Sequence, residues 1–273
     1  MKFKRLCATT LLSVIAVGAT APVLASAATQ THSAISEGRV TVEAGDLDPT
    51  DPIVDPEDPG KDIDPDNPEI TPGTDPGTLG ITNVSKLNFG TIKTASKAVT
   101  ANAAALVTKT DDTGATTETR GALVQFGDTR GTNAGYTVTA QITRPFELKT
   151  DTTKKLDGTT IKYNYGIMET RADNMATPGT MSTSLDALGY DSTTSAGNSI
   201  TVVSAAQGSG AGVYVLEFGQ SKDYTGANTV LGMTGTKETD DKAVTLTVPA
   251  ATASSMVLGD YTADITWTIG ALA

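Results

Sequence analysis

The amino-acid sequence predicts an all-β protein: a sandwich or barrel-like C-terminal domain preceded by a signal peptide and a disordered, acidic, proline-rich linker. From Gly77 onward, threonine, valine, glycine and alanine dominate. Short stretches alternate apolar and polar residues with the period of two that sends successive side chains to opposite faces of a strand. No stretch sustains the period of an amphipathic helix. A further feature sets off what comes before: residues 43 to 76 hold twelve acidic residues against Lys61, and eight of the twelve prolines.

Taken in chain order, Lys2, Lys4 and Arg5 give a positive start, and Leu6 to Leu24 is a run of apolar or small residues. Ala25-Ser26-Ala27 supplies the small residues a signal peptidase accepts, so residues 1–27 are expected to be removed on export. Cys7, the one cysteine, falls inside that segment. A mature chain without a thiol has no disulfide framework, no cysteine nucleophile and no cysteine-ligated zinc. No later run reaches the length of a membrane span, and no hydrophobic stretch with a basic tail leads to Ala273. Retention at a cell surface is therefore expected to rest on contacts. Residues 28–47 are expected to be disordered, with 28–42 at most a weak leading strand.

Residues 48–76 form the predicted linker. Its Asp-Pro pairs (Asp48-Pro49, Asp51-Pro52, Asp55-Pro56, Asp58-Pro59, Asp64-Pro65, Asp75-Pro76) deny it helix and sheet pairing. Self-repelling carboxylates are expected to hold it open, at ~3.1 Å per residue, over on the order of 90 Å. The net charge of −11 belongs to residues 43–75, since the rest of the chain sums to zero. Asp64-Pro65-Asp66-Asn67 loosely resembles a calcium loop but lacks its glycine and its terminal bidentate glutamate. No metal and no cofactor are expected. An acidic spacer, with no basic, aromatic-interleaved stripe elsewhere, argues against nucleic acid as a partner.

In the domain at 77–273, strands are predicted at residues 81–89, 122–126, 136–142, 160–168, 200–205, 213–218, 243–248 and 261–269. About eight strands suit a sandwich or barrel. Residues 172–198, rich in Gly, Ser, Thr and Asp, are predicted to be a surface excursion, with Ser182 to Leu188 able to form one or two helical turns.

Two segments carry the most information. Asp128-Thr129-Arg130-Gly131-Thr132-Asn133-Ala134-Gly135 is a turn-rich approach to the strand Tyr136-Thr137-Val138, and Gly259-Asp260-Tyr261-Thr262-Ala263 leads to Trp267-Thr268-Ile269 near the C-terminus. In these surroundings, and in Leu87-Asn88-Phe89-Gly90, the chain resembles the WxL-domain family of Gram-positive surface proteins over about residues 77–273. That family carries two Trp-x-Leu motifs. Here Tyr136-Thr137-Val138 stands in the first place, and Trp267-Thr268-Ile269 has isoleucine for leucine in the second. The resemblance implies non-covalent attachment to the cell wall, to peptidoglycan or another wall polymer, within a multi-protein surface complex.

The residues themselves support two readings of these motifs. Strand alternation places Trp267 and Ile269 on one face with Tyr261, Ala263 and Ile265, and Tyr136 and Val138 with Ala140 and Ile142. That pattern suits core positions. It also suits aromatics that line a shallow groove and cover the apolar face of a sugar ring or a partner's strand. Arg130 and Asn133, on a turn beside a rigid strand, are candidate contact residues, with an Arg130–Asp128 surface pair as the plain structural alternative. The last strand could also pair with a strand from another surface protein if it lies at a sheet edge.

Catalysis is not expected. His32 is the only histidine, which removes His-based triads and His-ligated metals. Paired carboxylates of the glycosidase type are available by count, yet one tryptophan and 5% aromatics are sparse for a sugar-cleaving cleft. An alternative binding role is that of an adhesin for a host matrix protein, with the loop at 172–198 facing outward.

Overall fold

The computed structural model describes residues 33–109, 117–226 and 237–272, so the predicted signal peptide, Cys7 and His32 lie outside the described residues. The chain divides into two units at Thr41. Residues 33–41 are extended and exposed, with Arg39 paired to Glu37. The second unit, from Val42, is a β-sandwich.

Its first strands are β1 (Ile53–Val54), β2 (Asp62–Ile63), β3 (Ile70–Pro72), β4 (Leu79–Ser85), β5 (Val99–Asn102), β6 (Leu106–Lys109) and β7 (Thr117–Arg120). Then come β8 (Ala122–Asp128), β9 (Tyr136–Leu148), β10 (Asp151–Lys155), β11 (Thr160–Tyr163) and β12 (Gly166–Thr170). The rest are β13 (Thr180–Met181), β14 (Leu188–Asp191), β15 (Ala196–Gly197), β16 (Ser199–Ala205), β17 (Gly212–Phe218), β18 (Val244–Val248) and β19 (Tyr261–Ala271). One sheet runs β10-β9-β16-β13, with β19 on the other side of β9; a second runs β12-β17-β8-β4-β3; a third runs β15-β14-β11-β18-β5. β1 pairs with β2 and β6 with β7.

Both faces of the β8–β17 pair are buried, which is why β8 reads as a nearly continuous apolar run rather than an alternating one. On one face Phe126, Tyr214, Leu216 and Phe218 pack into the main core with Tyr136, Val138, Ile161 and Leu246. On the other, Leu123 and Val215 meet Ile53, Val54, Ile63 and Ile70, all from the acidic segment.

The acidic segment is thus not an extended disordered spacer. Isoleucine and valine placed between its Asp-Pro pairs bury against the sheet, and its carboxylates turn the chain instead of repelling along it. Asp48 accepts from the Thr50 N–H at 2.8 Å, Asp55 from Glu57 at 3.0 Å and Asp64 from Asp66 at 2.9 Å. These are the short-range side-chain-to-backbone bonds that make aspartate a turn residue. Pro72 is tolerated because β3 is an edge strand.

One buried ion pair fixes the segment in place. Asp55 accepts two hydrogen bonds from Arg120, at 2.8 and 2.6 Å, with both side chains almost fully enclosed. Glu118 lies 2.7 Å from the same guanidinium, and Glu57, held by the Ser221 N–H and hydroxyl, lies 3.8 Å away. Beneath them Glu217 accepts from the Gly121 N–H at 2.8 Å; burial, then the neighbouring Glu57 charge, pushes its pKa well above the ordinary value. Desolvating each ion costs several kcal/mol, about what the attraction returns, so the pair contributes position more than net stability.

Two other expectations change. Residues 160–168 are not one strand: Tyr165, at φ 52°, breaks the run and sends β11 and β12 into different sheets. Residues 172–198 are not a free excursion, because Met181, Leu185 and Leu188 are buried and β13, β14 and β15 pair into the sheets. Ser182 to Leu188 forms no helix; the helix of the described residues is α1 (Ala250–Ser255), directly after Pro249.

Candidate functional site

The two aromatic-x-aliphatic motifs lie side by side. β19 runs antiparallel to β9 with Trp267 opposite Ala140, Ile269 opposite Val138 and Ala271 opposite Tyr136, so both motifs share one face of one sheet. Their surroundings differ. β9 has neighbours on both sides and the second sheet above it, and Tyr136, Val138, Ala140 and Ile142 are fully enclosed. β19 is the outermost strand, and Trp267 and Ile269 are only half-buried.

Tyr136 meets Phe126 edge-on with ring centres 5.9 Å apart, and its hydroxyl, buried without a hydrogen-bond partner, has its pKa pushed up by burial. Gly210, at φ 84°, permits this packing: a Cβ there would stand 2.6 Å from the tyrosine ring. Trp267 rests edge-on against Tyr163 at 5.7 Å and tilted against Phe218 at 6.1 Å. Those contacts anchor the inner part of the indole and leave the remainder at the surface.

The turn before β9 is organised by Arg130. Its guanidinium binds Asp128 through two bonds, at 2.9 and 2.7 Å, and donates to the Gly135 carbonyl at 3.0 Å. Burial works against ionising Asp128, but the Arg130 hydrogen bonds and charge outweigh it and its pKa falls below the ordinary value. Arg130 is therefore engaged within the turn, in the Arg130–Asp128 pair that the sequence offered as the plain structural alternative to a contact role. Asn133 is exposed at the tip in the left-handed region, φ 51°, and its carbonyl accepts from the Gly208 N–H at 2.8 Å. Neither residue lines the surface beside Trp267.

What does line that surface is a groove of about 350 Å³. One wall is Ile265, Trp267 and Ile269 of β19; the other is Pro76 with Leu79 and Ile81 of β4, and Thr74 and Asp75 edge it with polar groups. The second wall was absent from the sequence reading, although Leu79-Gly80-Ile81 has the apolar alternation of a strand. Only the pairing of β4 with β8 brings it to the far end of the chain.

The described residues contain no grouping of three or more His, Cys, Asp or Glu side chains able to hold a metal, and no helix long and apolar enough to cross a membrane. A family model described as "WxL domain surface cell wall-binding" matches residues 29–272. No curated protein and no solved structure matches the chain.

Proposed function

The chain belongs to the WxL family of surface, cell wall-binding domains, and from that premise we propose that it attaches non-covalently to peptidoglycan through the groove beside Trp267, as a binding protein and not an enzyme. The observation that carries this reading is the partly exposed indole, gripped on its inner side by Tyr163 and Phe218 and facing an apolar wall across the groove. An aromatic ring held rigid on one side and open on the other can cover the apolar face of a glycan ring with little loss of side-chain entropy. Thr74 and Asp75 at the rim supply polar groups for sugar hydroxyls.

The edge position of β19 supports a wall-held protein that also joins a multi-protein surface complex, with the open side of that strand as the joining surface. The buried carboxylates do not favour hydrolysis: Glu57 is bound by Ser221, Glu217 is enclosed beneath the acidic segment, and neither lines the groove.

The test is co-sedimentation of the exported protein with purified Gram-positive walls, intact and stripped of teichoic acid. Binding to both kinds of wall is expected, and Trp267→Ala should weaken it at least tenfold. Binding lost on stripping would overturn peptidoglycan as the receptor, and unchanged binding by the variant would overturn the groove as the site.

A further inference from the structure

Among the described residues, the outer edge of β19 has backbone groups with no partner. Leu272 N–H donates to the Gly135 carbonyl at 3.2 Å, which sets the register of the hydrogen-bonded pairs with β9 at Gly270, Thr268 and Thr266. The N–H and C=O groups of Ile265, Trp267 and Ile269 therefore point away from β9, in the plane of the sheet. β19 pairs with β9 alone, and among the described residues no hydrogen bond reaches these outward groups. An unpaired edge beside an apolar groove is a template for another strand.

The same chain carries a strand-like segment that pairs with no strand among the described residues. Arg39-Val40-Thr41-Val42-Glu43 alternates polar and apolar residues and has three β-branched side chains in succession. Val40 is 88% and Val42 87% exposed, and among the described residues no strand pairing includes them. Two fully exposed valines on one face of an extended segment are a surface that gains by being covered.

We propose that residues 39–43 of one copy of this chain add as a strand to the β19 edge of a second copy. Val40 and Val42 then enter the groove between Trp267 and Ile269 on one side and Leu79 and Ile81 on the other. The spacing fits, because the two valines are two residues apart and so are Trp267 and Ile269, and paired strands keep such rows on one face. Arg39, Thr41 and Glu43 fall on the opposite, polar face with Asp264, Thr266 and Thr268. Reciprocal exchange closes the assembly as a two-fold dimer in which each copy gives one strand and accepts one. The pairing goes beyond wall attachment and meets it at one point, since the added strand covers Trp267.

The exported protein can be tested by cysteine cross-linking, because its lone native cysteine lies in the predicted signal peptide. Proteins carrying Thr41→Cys alone and Thr268→Cys or Thr266→Cys alone are mixed and oxidised, and masses are followed by light scattering. The expected result is a cross-linked species of twice the chain mass, together with a dimer of the unsubstituted protein that reverts to monomer in Val40→Asp/Val42→Asp. A monomer at all concentrations, or a disulfide that forms only within a doubly substituted chain, overturns the proposal. Wall sedimentation of Val40→Asp/Val42→Asp separates the two readings. Wall binding retained or strengthened in the monomer supports strand exchange over the groove, whereas an intact dimer that ignores walls overturns only the peptidoglycan reading.

Discussion

The Tyr136-Thr137-Val138 and Trp267-Thr268-Ile269 motifs have the same pattern, share one sheet face and stand directly beside each other, yet one is sealed in the core and the other half-open at the rim. The difference is one of position in the sheet. A side chain on β9 has covered neighbours in every in-plane direction, whereas one on β19 has a neighbour on one side and the groove on the other. An aromatic-x-aliphatic pattern is thus compatible with either job, and strand order decides which job each copy does.

The largest effect that could break this comparison comes from Tyr136→Ala. It empties a fully enclosed aromatic site that Phe126 and Gly210 are shaped around, and the loss should be about 3–5 kcal/mol of unfolding free energy. Thermal denaturation followed by circular dichroism would read it. A loss under about 1 kcal/mol would mean that the site is not the closed core described here.

Trp267→Ala comes next. Its stability cost should be roughly 2 kcal/mol, because only the inner part of the ring is packed, while its wall affinity should fall well beyond what that destabilisation explains. Chemical denaturation of the variant beside the wall-sedimentation measurement gives both numbers. A stability loss as large as that of Tyr136→Ala, with wall affinity preserved in the folded fraction, would make the two motifs equivalent and remove the comparison.

How much of this contrast was legible in the sequence follows from the range of the interactions involved. β9, β16, β18 and β19 were legible because a strand with one buried face writes its own period into consecutive residues, and β8 and β17 because their short apolar runs are bounded by turn residues. That Tyr136 shares a face with Val138, and Trp267 with Ile269, was legible from the same alternation. Strand order was not, because the edge position of β19 depends on which strands pair across the whole chain. The acidic segment was misread on the same account: its turns are local, but Asp55 is held by Arg120, 65 residues away, and Ile53 by a sheet far along the sequence. Without those distant partners, repulsion among the carboxylates would dominate. At 172–198, single residues such as Met181, Leu185 and Leu188 anchor the chain at irregular spacing, and no period records that. α1, six residues long, is too short to show one.

The smallest and most discriminating expected effects come from making the same change in both motifs, replacing each aromatic by phenylalanine. Tyr136→Phe removes a hydroxyl that is buried without a partner, and an unsatisfied buried polar group costs about 1–3 kcal/mol. The variant should therefore be as stable as the parent or gain up to about 1 kcal/mol, a rise of roughly 2–4 °C in Tm for a domain of this size, with wall binding unchanged. Trp267→Phe keeps an aromatic ring against Tyr163 and Phe218 but shortens the part that reaches into the groove. Its stability should change by under about 1 kcal/mol while wall affinity drops measurably. One substitution should register in Tm alone and the other mainly in binding, and calorimetry with wall sedimentation on the two proteins separates them. If Tyr136→Phe lowered both, the hydroxyl would have a partner that matters to the wall-binding state, and the first motif would belong to the site after all.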